Sequence, residues 1–122
     1  MKIIVLFAVL VGAALADDND YYKTEDDNLN MQDVVDDPKR LQSFVDCFLD
    51  KKSCDPVPAS YKEHIPESIA KGCNRCSTAQ KKLVLTFLKG LKEKMPQDYD
   101  NFLKKYDPSG ENIQKLIEKI QS

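Results

Sequence analysis

Four cysteines carry the clearest chemical signal of this sequence, at Cys47, Cys54, Cys73 and Cys76 in a C-x6-C-x18-C-x2-C spacing. Such thiols can form disulfides, a redox centre or a zinc site. Zinc sites favour two to four residues within a ligand pair, and the first pair is wider. A redox Cys-x-x-Cys usually follows a strand, whereas the segment before Cys73 is patterned as a helix. The sequence therefore predicts structural disulfides. Three pairings are possible, and pairing neighbours would close only short loops.

Other chemistry-bearing residues are sparse. His64 is the only histidine of the chain, so it has no second imidazole for a metal site and no free thiolate to activate. The carboxylate pairs Asp26-Asp27 and Asp36-Asp37 lie in predicted loops, where acids serve as helix caps and solubilising charge. The four glycines are scattered and form no phosphate-binding loop. We predict that the protein is not an enzyme and uses no metal or cofactor.

The first residues have the pattern of a secretory leader. Lys2 precedes an apolar run over residues 3–15, and Ala14-Leu15-Ala16 is a small-x-small cleavage site. The run is too short for a membrane span. We predict that residues 1–16 are a signal peptide and that the mature protein is secreted and extracellular. An oxidising compartment agrees with paired cysteines.

Charge narrows the range of partners. Acidic residues outnumber basic ones by 20 to 18, and they crowd residues 17–30, which we expect to form a mobile acidic arm. Without a basic footprint, neither nucleic acid nor an anionic membrane surface is a predicted partner. Residues 31–122 are predicted to form one helical domain, and the protein is predicted to be a monomer.

The elements that must position these residues are amphipathic helices. Asp37-Pro38 is an N-cap followed by a proline at the first helical position, and Ser77 with Gln80 forms a capping box. Pro66 is expected to kink or split the helix that carries it. Apolar residues recur at helical spacing in five stripes: Leu41, Phe44, Val45, Phe48 and Leu49; Tyr61, Ile65 and Ile69; Leu83, Val84, Phe87, Leu88, Leu91 and Met95; Tyr99, Phe102, Leu103 and Tyr106; and Ile113, Leu116, Ile117 and Ile120.

No segment alternates like a strand of useful length. The fold class is therefore all-α, a compact bundle of five to six short helices. Periodicity alone favours a solid core over a cavity, because apolar stripes usually pack against one another.

Three sequence blocks add a family resemblance. Residues 44–51 (FVDCFLDK), 73–81 (CNRCSTAQK) and 105–110 (KYDPSG), together with the cysteine spacing, closely resemble the insect chemosensory proteins, also called olfactory-specific D-like proteins. The match runs from about Tyr21 to the C-terminal helix. The resemblance implies about six helices around a hydrophobic channel, with each cysteine paired to its neighbour.

The resemblance also implies ligands and site residues. The ligands would be small apolar molecules such as fatty-acid-like lipids, odorants and pheromones. Phe44 and Gln80 border the channel by the family pattern, although the family commonly has tyrosine at the first position and tryptophan where Tyr99 stands. The stripes add further candidates, so that the predicted ligand-binding set is Phe44, Phe48, Leu49, Ile65, Ile69, Gln80, Val84, Phe87, Leu88, Tyr99 and Phe102.

Two functions therefore compete at this point. The first is a secreted carrier that solubilises small hydrophobic molecules in sensillar or body fluid. The alternative is a secreted interaction or developmental factor that uses the same fold without ligand transport, with a receptor or another extracellular protein as its partner. A membrane-active helical protein is disfavoured, because such proteins usually present a basic amphipathic surface.

Overall fold

The structure is a computed structural model that describes residues 21–121. Within this range the chain forms seven α-helices and no strand: α1 (Met31–Asp36), α2 (Pro38–Phe48), α3 (Pro56–Lys62), α4 (Ile65–Ala70), α5 (Thr78–Lys94), α6 (Pro96–Tyr106) and α7 (Glu111–Gln121). The predicted all-α class is confirmed. The predicted signal peptide lies outside the described residues and stays a prediction.

The predicted helix starts are present. The Asp37 carboxylate accepts from the Lys39 amide at 3.1 Å, and Pro38 is the first residue of α2. Ser77 and Gln80 form the capping box of α5. The helix that carries Pro66 splits in two, with α3 ending before His64 and Pro66 in the first turn of α4. A proline is tolerated there because the first-turn amides have no helical acceptor.

α5 is the central helix, and it packs against α1, α6 and α7. Its Gly90 allows α1 to approach closely, because a Cβ on Gly90 would lie only 2.4 Å from Val35 Cγ1. Three leucines are fully buried between the helices, namely Leu41, Leu91 and Leu116. The apolar stripes therefore converge on one core, as the sequence predicted.

All four cysteines form disulfides between neighbours, Cys47 with Cys54 and Cys73 with Cys76. The Cα atoms of the two pairs are 4.9 Å and 5.1 Å apart. The pairing implied by the family resemblance is present, and no cysteine is free for zinc or redox chemistry. Each bond closes a local turn, so the contacts between distant helices are held by apolar packing.

The segment before α1 differs from expectation. Residues 21–29 were predicted to belong to a mobile arm, but they are docked against α3, α4 and α5, and Tyr22 is buried. We call residues 21–29 the N-terminal strap. Among residues 21–121 no helix is long and apolar enough to cross a membrane.

Candidate functional site

An apolar cavity of about 90 Å³ lies among α2, α4, α5, α6 and α7 and reaches under the N-terminal strap. Eight of the eleven residues predicted from the sequence line it: Phe48, Ile65, Ile69, Gln80, Val84, Phe87, Leu88 and Phe102. The stripes of four helices therefore do converge on one space. The preference for a solid core, which periodicity alone indicated, does not hold at this point.

The other three predicted residues do not line the cavity. Phe44 is buried one helical turn from Phe48, and the two ring centroids are 6.1 Å apart in an edge-to-face arrangement. Leu49 lies at the C-terminal cap of α2. Tyr99 lies below Lys92, whose Nζ is 5.9 Å from the ring centroid. Their part in ligand binding stays a prediction.

An aromatic row runs along the cavity, and three of its four rings, Phe48, Phe87 and Phe102, line the cavity. From Phe48 to Phe87 to Phe102 to Tyr106 the ring centroids are 5.3, 5.9 and 4.9 Å apart. Edge-to-face and tilted pairs at such distances are favourable beyond their buried area. The Tyr106 hydroxyl donates to the Phe48 carbonyl at 2.6 Å, and burial raises the pKa of Tyr106 to about 12. The row therefore ties α2, α5 and α6 together beside the cavity.

The strap covers one side of the cavity and supplies lining residues that the sequence analysis missed. Tyr22 and Thr24 face the cavity from the strap. The Tyr22 amide donates to the Arg75 carbonyl at 3.0 Å, and the Glu25 amide donates to Ser60 Oγ at 3.0 Å. The chain is thus fixed at both ends of the covering segment.

Gln80 is the central anchor of the strap. Its side chain is only 5% exposed. Nε2 donates to the Tyr22 carbonyl at 2.7 Å and to Thr24 Oγ1 at 3.0 Å, while Oε1 accepts from the Ser77 amide at 2.9 Å. One buried amide therefore closes the capping box of α5 and holds the strap over the cavity.

Tyr22 is held on three sides. Its ring stacks on His64 with a centroid distance of 4.3 Å, and the Arg75 guanidinium lies 5.1 Å from the ring centroid. Its hydroxyl donates to Glu67 Oε1. Burial, together with this bond to a carboxylate, raises the pKa of Tyr22, and the same bond lowers the pKa of Glu67. His64, for which the sequence predicted no catalytic or metal-binding role, lines the cavity as a stacking partner of Tyr22.

Tyr61 holds the strap beyond its middle, at Asp26. Its hydroxyl donates to the Asp26 carbonyl at 2.6 Å, and its ring lines the cavity. Burial, with the nearby charge of Asp26, raises the pKa of Tyr61 to about 12. Both tyrosines at the cavity thus remain neutral at physiological pH, as donors to fixed acceptors.

Several lining residues carried no signal that would have singled them out. Leu83 and Leu116 belong to predicted apolar stripes and Met31 begins α1, but nothing in their spacing distinguishes them from residues of a solid core. For Tyr22 there was a hint, because a large aromatic side chain is unusual in an acidic, asparagine-rich segment. The hint did not distinguish Tyr22 from its neighbour Tyr21, which is 50% exposed.

The cavity offers apolar contact and very little reactive chemistry. No buried side-chain nitrogen or oxygen among residues 21–121 lacks a hydrogen-bond partner. The described part of the chain also holds no cluster of histidine, cysteine and carboxylate side chains that could bind a metal. The arrangement suits a small apolar molecule, which needs surface to displace water and few polar partners.

Comparison with known proteins gives the family. The model of the insect pheromone-binding family A10/OS-D matches residues 22–114. This chain belongs to that family. The resemblance drawn from the cysteine spacing and the three sequence blocks is thereby confirmed. The prediction that the protein is not an enzyme is confirmed as well, because A10/OS-D is a family of binding proteins.

Individual known proteins and solved structures are similar to this chain over most of its length. Allergen Tha p 1 of Thaumetopoea pityocampa is 25% identical over 122 residues, 100% of this chain and 97% of that protein. Ejaculatory bulb-specific protein 3 of Drosophila melanogaster is 26% identical over 108 residues, 88% and 85% of the two chains. The solved structure of a chemosensory protein in complex with bromo-dodecanol is 26% identical, has a TM-score of 0.72, and matches 80% of this chain and 98% of its own.

Proposed function

We propose that this protein is a secreted carrier that binds small hydrophobic molecules with an aliphatic chain in the cavity beneath the N-terminal strap. The observation that carries the proposal is the cavity itself: the apolar stripes of four helices line an empty space at this point and do not pack fully against one another. A chemosensory protein of similar fold has been solved with bromo-dodecanol, which supports the same ligand class here.

The energy comes from removing the chain of the ligand from water. Each buried methylene contributes about 0.8 kcal/mol, so a twelve-carbon chain contributes roughly 10 kcal/mol before the costs of ordering. Micromolar affinity corresponds to about 8 kcal/mol. We therefore expect affinity in the micromolar range, with loose discrimination between neighbouring chain lengths.

The size of the cavity adds a requirement. At about 90 Å³ it is smaller than the engineered cavity of about 150 Å³ that takes up benzene in another protein. A long alkyl chain can enter only if lining side chains move. Met31, which is unbranched and flexible, is suited to such movement. The cost of opening lowers the affinity below the value that the chain alone would give.

The test is displacement of a fluorescent apolar probe by primary alcohols of ten to eighteen carbons, from the oxidised protein. We expect saturable micromolar displacement that strengthens with chain length and then levels off. The variant Val84→Phe adds four carbon atoms to the cavity wall and should weaken displacement at least tenfold. Val57→Phe is the matched control, because Val57 lies on α3 outside the cavity lining.

Two outcomes would contradict the proposal. One is the absence of displacement from a protein that circular dichroism shows to be helical. The other is a Val84→Phe variant that binds as well as Val57→Phe. Either result would favour the alternative, a secreted interaction factor in which the same fold serves a protein partner.

Secretion is supported by the leader pattern of residues 1–16. Expression in insect cells should release the protein into the medium. Its N-terminal sequence should then begin at Asp17. A retained, uncleaved chain would contradict this part of the proposal.

A further inference from the structure

A second depression adjoins the apolar cavity on the outer side of α5. It has a volume of about 410 Å³ and lies between the strap, the start of α1 and α5. Its lining is mixed: apolar side chains such as Leu29 lie beside the amide side chains of Asn28 and Gln32 and two opposite charges, Asp27 and Lys82. We call it the polar groove.

The cavity and the polar groove share a wall. Met31 and Leu83 line both of them, and these side chains are buried, at 5% and 7% exposure. On α5 the two spaces are lined by adjacent stripes of one helix, with Val84 in the cavity and Lys82 in the groove on either side of Leu83. One layer of apolar side chains therefore separates an apolar space from one that also offers polar and charged groups.

A hydrogen-bond chain crosses the same boundary. Gln80 Nε2 donates to Thr24 Oγ1, which lines the cavity, and the Thr24 hydroxyl donates to an oxygen of Asp27, which lines the groove. The Asp27 carboxylate has a second oxygen with which to accept from a ligand. Its position is fixed by the anchored strap.

The volumes indicate that a ligand uses both spaces. The cavity alone is too small for a long chain, and none of its fully buried side-chain nitrogen and oxygen atoms lacks a hydrogen-bond partner. A polar head group left inside it would have to break such a bond or stay unpaired, at a cost of about 1 to 3 kcal/mol. The polar groove is the adjoining place where a head group keeps hydrogen bonds and contact with water.

The charges of the groove decide the kind of head group. Lys82 is exposed and forms none of the ion pairs found among residues 21–121, so its ammonium can donate to a ligand. A carboxylate would gain this contact but would meet the charge of Asp27, with Glu25 and Asp26 next to it on the strap. Repulsion between like charges offsets the gain. A hydroxyl group can accept from Lys82 and donate to Asp27 without that penalty.

We propose that the ligand of this protein is an amphipathic molecule with an alkyl chain in the cavity and an uncharged hydroxyl head in the polar groove, between Asp27 and Lys82. The inference rests on the proposed carrier function and adds the head-group chemistry and its place. It makes Asp27 the residue that selects alcohols over fatty acids of equal length, whereas Lys82 donates to either head group and partly offsets that preference.

The test compares dodecanol with dodecanoate at neutral pH by probe displacement. The wild-type protein should bind dodecanol more tightly. Asp27→Asn removes the repulsion and should reduce the ratio of dodecanol affinity to dodecanoate affinity by about two- to fivefold. This is the change in affinity that corresponds to the interaction energy of an exposed charge pair. Lys82→Met keeps the apolar stem, removes the attraction and should widen the preference. Asp100→Asn removes the same charge from the exposed face of α6 and should leave the preference unchanged.

The outcomes separate the two proposals. If both ligands displace the probe but neither Asp27→Asn nor Lys82→Met changes their ratio, the head-group assignment is overturned while the carrier function stands. A wild-type preference for dodecanoate would overturn it as well. If neither ligand displaces the probe, the carrier function fails and the head-group assignment fails with it.

Discussion

Replacing Gln80 by glutamate should loosen the N-terminal strap while leaving the capping box of α5 intact. A glutamate at this position can still accept from the Ser77 amide, as Gln80 Oε1 does at 2.9 Å. It cannot donate to the Tyr22 carbonyl or to Thr24 Oγ1, which Nε2 now reaches at 2.7 Å and 3.0 Å. The substitution therefore separates the two roles of one side chain.

The magnitude follows from these contacts. Two neutral hydrogen bonds contribute about 0.5 to 1.5 kcal/mol each. The Tyr22 carbonyl would also face a buried carboxylate instead of a donor, which costs about 1 to 3 kcal/mol more. We expect a loss of about 2 to 6 kcal/mol in the free energy of unfolding. For a domain of about 100 residues this lowers Tm by roughly 10 to 30 °C.

The assay combines thermal unfolding with amide hydrogen exchange. The exchange of the Tyr22 amide, which donates to the Arg75 carbonyl, and of the Glu25 amide, which donates to Ser60 Oγ, reports strap opening. Both amides should exchange faster in Gln80→Glu, whereas amides inside α5 should change less. Burial disfavours the charged form of the new carboxyl group, so part of the deficit should disappear when acidification protonates it, because the neutral acid can donate to Tyr22 again.

Gln97→Glu, an exposed change of the same charge in the first turn of α6, is the control and should shift Tm little. The reasoning would be refuted if Gln80→Glu unfolded at the wild-type temperature with unchanged exchange at Tyr22 and Glu25. It would also be refuted if Gln97→Glu had the same effect, since the loss would then reflect added charge and not the strap.

Two further predictions concern the scaffold. Gly90→Ala should destabilise the protein by about 1 to 3 kcal/mol in chemical unfolding, because the new Cβ would lie 2.4 Å from Val35 Cγ1. This loss outweighs the higher helix propensity of alanine. The double variant with Val35→Ala should lose less stability than the sum of the two single changes, and additive losses would contradict the packing argument. Hydrogen bonds from Lys105 and Lys62 lower the pKa of Asp50 to about 2. The stabilisation from this carboxylate is therefore present above its unfolded pKa, near pH 4, and is lost as pH falls toward 2. Asp50→Asn should flatten the curve of unfolding free energy against pH across that window, and an unchanged curve would show that the ion pairs are not formed in solution.

Local pattern was sufficient for much of the fold. The caps at Asp37 and Ser77, the apolar spacing of the helices and the splitting effect of Pro66 are each decided by residues within a few positions of one another. Such features depend on backbone hydrogen bonding and side-chain periodicity, which the sequence displays directly. The disulfide pairing needed the family resemblance as well, since three connectivities were open.

The strap could not be predicted in this way. Tyr22 is held by His64, Glu67, Arg75 and Gln80, which come from three different segments of the chain. No periodicity links an aromatic residue in an acidic segment to partners more than forty positions away. The composition of the segment indicated mobility, and tertiary contacts overrode it.

The cavity was predicted in part, for a related reason. Phe44 and Phe48 belong to the same stripe of α2, but only Phe48 reaches the cavity. A stripe defines the buried face of a helix, whereas the position of a void along that face depends on how neighbouring helices pack. The cavity volume of about 90 Å³ depends on the packing of several helices. It therefore cannot be predicted from the apolar pattern of any single helix.

The most direct test of the central claim is to locate a bound alkyl chain by NMR. Methyl spectra of the oxidised protein would be recorded during titration with dodecanol. We predict saturable shifts for Ile69, Val84 and Leu88, which line the cavity, and little change for Val35 and Ile117, which do not. Shifts confined to methyl groups outside the cavity, or no saturable shift at all, would contradict the claim that this protein carries its ligand inside the helical bundle.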